Sequence, residues 1–175
     1  MPLARGLLLA STLGFPTLAM AAGADYSMYI AKNPVYCIDA NGNAVTLRHG
    51  RATGSKDFTA ILEGSRPTIV VEHDQLSRHP DWFQAFLFYR ECGFHRQGVV
   101  RATKPFPPPA YDKQHINASD CFAIQAVSSW SRGTGVSLSS LPSLIVDRMR
   151  QQTSAPAYAT SPGQLRDCLS KAKAR

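Results

Sequence analysis

The stretch FLFYRECGFHRQG, positions 86–98, puts Arg90, Glu91, Cys92 and His95 within six residues of one another. On a helix, Glu91 and His95 stand four apart and project from one face. A carboxylate and an imidazole so placed can hold a metal ion or activate water. With His115 and Asp120 further along the chain they define one candidate, a shifted zinc site using His95, His115 and Glu91 for metal-dependent hydrolysis. Arg90 opposes it, because a guanidinium close by repels a divalent cation. The plainer reading makes Glu91 the partner of a nearby arginine and His95 a half-exposed residue at a helix end. His49, His73 and His79 have no ligand-like spacing with one another.

The elements that must position these residues follow from local pattern. Pro80 suits a first helical turn and Asp81 complements the positive end of the dipole. Trp82, Phe83, Phe86, Leu87, Tyr89 and Phe94 then make the following helix apolar over most of its circumference, so it belongs at the centre of the core. Before it, residues 35–38 and 44–47 flank Asn41-Gly42, a pair that tolerates positive φ, and predict a hairpin. Residues 58–62 and 68–72 predict two more strands, the latter short and β-branched. After the helix comes the proline-rich connector 104–109. Residues 117–130 and 140–150 predict further helices, and Ser161-Pro162-Gly163-Gln164 is a capping box that opens a last helix. The fold class is therefore α+β: a small N-terminal antiparallel sheet packed on a helical core.

Composition bounds the rest. A chain of 175 residues, 44% hydrophobic, holds one sizeable core. Residues 1–21 have a short cationic start, an apolar run and a small-residue end at Ala19-Met20-Ala21, which predicts a cleaved secretory signal and a single domain over 22–175. The apolar run is too short for a membrane span. Cys37, Cys92, Cys121 and Cys168, an even number with no CxxC pair, point to two disulfides in an oxidising compartment, periplasmic or extracellular. Their three possible pairings are equivalent at this level. Lys and Arg number 19 against 12 Asp and Glu, a formal charge of +7. These charges are dispersed and lack interleaved aromatics, which argues against nucleic acid and leaves attraction to an anionic envelope polymer open. A GxSxG elbow and a GxxxxGK loop are both absent from the sequence.

Residues 68–71 leading into 86–95, followed by Asn117-Ala118-Ser119-Asp120-Cys121-Phe122-Ala123, resemble the compact secreted zinc metallopeptidases of the gluzincin type. Their pattern is a helix with HExxH, often HECAHH, and a second helix with ExxxD ending in ADC. The likeness spans about residues 68–130. It places the first histidine at Arg90, the base at Glu91, the second histidine at Phe94, the glutamate ligand at Ile116 and the orienting aspartate at Asp120. A protonated guanidinium, a phenyl ring and a butyl group offer no lone pair, so all three ligand positions are degenerate and Glu91 is vestigial. The resemblance implies that Arg90 pairs with Asp120 across two helices, that Phe94 and Ile116 fill the vacated site, and that Cys92 bonds Cys121, leaving Cys37 for Cys168. The expectation is a monomeric or weakly associating pseudo-peptidase without cofactor that binds a peptide, a protein or an envelope polymer. The alternative is the active peptidase with its zinc shifted to His95, His115 and Glu91.

Overall fold

A computed structural model of the chain describes residues 27–50, 57–100, 111–130, 136–152 and 160–173. The expected signal segment 1–21 and the proline-rich connector 104–109 lie outside the described residues. The architecture is α+β. Two strands, β1 (Ser27–Ile30) and β2 (Asn33–Tyr36), form an antiparallel hairpin. Three more, β3 (Thr46–His49), β4 (Phe58–Glu63) and β5 (Arg66–Val71), form a sheet in the order β3-β5-β4. In it β3 runs parallel to β5 and β4 antiparallel, Thr46 standing opposite Thr68 and Ala60 opposite Ile69. The helices follow: α1 (His73–Leu76), α2 (Asp81–Arg96), α3 (Lys113–Trp130), α4 (Leu141–Gln152) and α5 (Pro162–Lys173).

The hairpin expected around Asn41-Gly42 is only partly there. Gly42 does take a positive φ of 84°, and a single bridge joins Ile38 to Ala44. The Asp39 carboxylate collects the backbone N–H groups of Asn41 and Asn43, which makes the reversal a wider loop. The chain on either side then diverges, β2 to β1 and β3 to β5. The tight hairpin lies earlier, and its turn uses Ala31 and Lys32 at φ 48° and 67°. Neither residue favours that region, so the usual Asn-Gly signal is missing.

Helix α2 is central. Phe83, Phe86 and Phe88 are fully buried, and each contributes roughly 2–3 kcal/mol of apolar burial. Its flanks meet α3 on one side and β4, β5 and β1 on the other, while α5 closes over α3 and α4. The helix stops in a Schellman arrangement: Gly98 at φ 65° donates to His95 O, and Val99 donates to Phe94 O. On α5 the capping box forms as read, Ser161 N donating to Gln164 Oε1 and Gln164 N to Ser161 Oγ.

The disulfides correct the pairing that the resemblance implied. Cys37 is bonded to Cys92 and Cys121 to Cys168, with Cα–Cα distances of 5.6 and 5.3 Å. The reason is the rotation of the helices. Gly93 lies directly on α3, where an added Cβ would stand 2.8 Å from Ser119 Cα. One residue earlier, Cys92 is turned about 100° from that contact, toward the segment after β2. Cys121, two residues past Ser119, is on the far side of α3, toward α5. Two disulfides fit an oxidising, exported environment. Among the described residues no helix is long and apolar enough to cross a membrane.

Candidate functional site

The face of α2 that carries Arg90 and Phe94 meets the face of α3 that carries Ile116 and Asp120. Arg90 Nε donates to Asp120 Oδ1 at 2.8 Å, with the carboxylate wholly buried and the guanidinium side chain 17% exposed. The other carboxylate oxygen accepts the Thr160 hydroxyl at 2.6 Å, just ahead of α5. Arg90 thus ties α2 to α3, and Thr160 ties the same aspartate to the chain entering α5. Gln97 adds a further tie, donating to Ser119 Oγ at 2.7 Å and to His115 O at 3.1 Å.

Phe94 is buried and shares a small apolar cluster with Ile116, Ala60, Val100 and Tyr111. The Tyr111 ring stacks on Phe94 with centroids 3.9 Å apart and planes 12° from parallel, and the Arg90 guanidinium lies 5.7 Å from the Phe94 centroid. Burial pushes the Tyr111 hydroxyl well above its ordinary range, and the negative charge of Glu91 adds to this. Four of the five positions assigned by the resemblance, Arg90, Phe94, Ile116 and Asp120, are therefore brought together, and what fills them is an ion pair beside packed apolar side chains.

The residues of the shifted site go elsewhere. Glu91 is buried; its Oε2 accepts the Ala60 N–H of edge strand β4 at 2.9 Å, and its Oε1 lies 3.9 Å from Arg90 Nη1. His95, expected half-exposed at a helix end, is 3% exposed, because the α2 terminus is covered by the sheet. Its Nε2–H donates to Thr68 O at 3.0 Å. Burial lowers its pKa and keeps the ring neutral, against the smaller opposing effects of that bond and of Asp39. His115 pairs through Nδ1 with Asp112 Oδ2 at 2.9 Å. Among the described residues no three His, Cys, Asp or Glu side chains converge as a metal-binding group.

Beside Arg90 and Glu91 opens a cleft of about 450 Å³. Asp57, Gln75, Arg78, His79 and Gln152 supply the rest of its polar wall, and Phe58, Leu87 and Met149 its apolar part. Three of these side chains touch: His79 Nε2 is 3.1 Å from Asp57 Oδ2, and Gln152 Nε2 is 2.7 Å from both atoms. Asp57 and Gln152 are 95 positions apart, so no local spacing announces the cluster. His49 and His73 also come together, with rings stacked 4.6 Å apart at the carboxyl ends of β3 and β5. No protein-family model, no curated protein and no solved structure matches this chain, so its reading rests on its own side chains.

Proposed function

We propose that the protein is an exported, non-catalytic binding domain, a pseudo-peptidase of gluzincin type whose cleft takes an extended peptide or protein segment. The observation that carries the reading is the Arg90–Asp120 ion pair at 2.8 Å. It occupies the positions where the resemblance puts a zinc-binding histidine and its orienting carboxylate. A guanidinium held there offers no lone pair and repels a cation. Phe94 and Ile116 supply apolar volume where the other two ligands would stand.

The cleft suits a peptide. It combines both signs of charge with an apolar wall, and it adjoins β4, an edge strand among the described residues, whose backbone groups other than the Ala60 N–H held by Glu91 can pair with a partner chain. An anionic envelope polymer is the second partner, favoured by the formal charge of +7. The test is a displayed peptide library panned on the full chain, with hydrolysis of the same library followed by mass spectrometry in the presence of zinc. Enrichment of peptides that Arg78→Glu no longer retains, with no cleavage, is expected. Zinc-dependent cleavage that a chelator and Glu91→Gln both stop would overturn the proposal in favour of the active peptidase. The triple restoration Arg90→His, Phe94→His and Ile116→Glu should create zinc binding, and its failure would count against the register of the resemblance.

A further inference from the structure

From the cluster of Asp57, His79 and Gln152 we infer a divalent-cation site in the wall of the cleft, separate from the α2–α3 positions. It goes beyond the binding reading and does not depend on it. The three atoms His79 Nε2, Asp57 Oδ2 and the terminal amide of Gln152 form a closed triangle with edges of 3.1, 2.7 and 2.7 Å. Three donors on one face of an octahedron, each about 2.1 Å from the ion, stand about 3.0 Å from one another. The spacing is that of a facial triad.

Proton bookkeeping within the triangle favours a cation. If His79 carries its proton on Nε2 and donates to Asp57, the amide N–H of Gln152 is aimed at another N–H. If the proton is on Nδ1, Gln152 donates to both neighbours, but Nε2 and Oδ2 then face each other as two acceptors 3.1 Å apart. His79 Nδ1 is buried without a hydrogen-bond partner among the described residues in either case, so it does not decide between them. A half-turn of the Gln152 amide replaces nitrogen by oxygen and leaves three lone-pair atoms facing one point. A cation there relieves the conflict that either tautomer leaves.

The surrounding charge permits it. Asp57 and Glu91 line the same cleft as Arg78 and Arg90, and Arg90 is already held by the buried Asp120. Among the described residues of the cleft and their partners, three carboxylates stand against two guanidiniums. One imidazole, one carboxylate and one amide oxygen suit a borderline first-row ion such as Zn²⁺ or Mn²⁺. The donors come from the start of β4, from the turn before α2 and from the end of α4, so the ion would pin the sheet to the C-terminal helices.

The experiment is equilibrium dialysis of the chelator-treated full chain against Zn²⁺ and, separately, Mn²⁺, with bound metal counted by mass spectrometry. One ion per chain is expected. Asp57→Asn and Gln152→Leu should each weaken it tenfold or more, with the fold checked by near-ultraviolet circular dichroism. The double variant His49→Gln/His73→Gln should bind as the parent does. Gln152→Glu supplies a charged donor at the same point and should tighten binding, a gain that misfolding cannot imitate. Absence of binding at about 1 mM metal, unchanged affinity in the Asp57 and Gln152 variants, or loss of the ion with His49 and His73 would each overturn the site.

Discussion

Replacing Arg90 by methionine keeps most of the side-chain volume and removes the charge that faces Asp120. The carboxylate is wholly buried and would keep the Thr160 hydroxyl among its partners. Removing one member of a buried ion pair costs about 3–5 kcal/mol, because the remaining charge is left in a medium that solvates it poorly. Arg90 is 17% exposed, so water reaches the vacated place in part and the lower end applies, about 3 kcal/mol. Urea unfolding is the assay. With an m-value of about 2 kcal/mol/M, the midpoint should fall by about 1.5 M. A volume-preserving double variant, Arg90→Met/Asp120→Leu, should recover most of the loss, since well-packed apolar groups often replace a buried pair without penalty. A single-variant effect below about 0.5 kcal/mol, the range of exposed pairs, would refute the view that this contact bridges the helices. Failure of the double variant to recover would show that Arg90 acts through its packing on Phe94 instead.

Three further outcomes are expected. Non-reducing peptide mapping should yield Cys37–Cys92 and Cys121–Cys168, and removing either bond should cost about 4 kcal/mol on the chain-entropy estimate for loops of 55 and 47 residues; a Cys92–Cys121 peptide would contradict the helix rotation described. Gly93→Ala should destabilise by about 1–3 kcal/mol, because its Cβ would meet α3 backbone at 2.8 Å, and an unchanged melting temperature would show that the helices separate freely. His95 is held neutral by burial, so between its lowered folded pKa and about 6.5 the unfolded chain binds more protons than the folded one. Its contribution to stability is complete above about pH 6.5 and is lost as the pH falls toward the folded pKa. His95→Gln should flatten that part of the stability profile, and an unaltered slope would remove His95 as its source.

Much of the fold was legible because its signals are local. The β-branched run at 68–72 and the apolar circumference of α2 each need only a window of a dozen residues, and so does the capping box at Ser161. The hairpin of β1 and β2 escaped notice because Ala31 and Lys32 accept left-handed φ without belonging to the residues that favour it. Asn41-Gly42 was overread for the opposite reason, since the Asp39 carboxylate, not the pair itself, shapes that loop. The cluster in the cleft wall has no local signal at all. Gln152 closes α4, 73 positions from His79, and only the tertiary fold brings them within 2.7 Å.

The rotation of α2 explains why its contiguous polar motif is not a contiguous site. Successive residues turn by about 100°, so each meets a different wall of the core. Arg90 reaches Asp120 on α3, Glu91 reaches Ala60 on β4, Cys92 reaches Cys37, Gly93 lies on Ser119, and His95 reaches Thr68 on β5. Glu91 and His95 do share the sheet-facing side, as their spacing requires. Yet His95 spends its Nε2–H on a carbonyl and Glu91 spends an oxygen on an edge N–H, so both serve as anchors between helix and sheet. The opposite pair, Arg90 and Phe94, faces Ile116 and Asp120, which are themselves four apart. Two i, i+4 pairs on facing helices make a four-cornered site. Its side chains, a cation beside a carboxylate and a phenyl ring beside a butyl group, make those corners a fastening between helices. The neighbouring cleft holds a second polar group, Asp57, His79 and Gln152, whose side chains meet one another and not the α2–α3 corners.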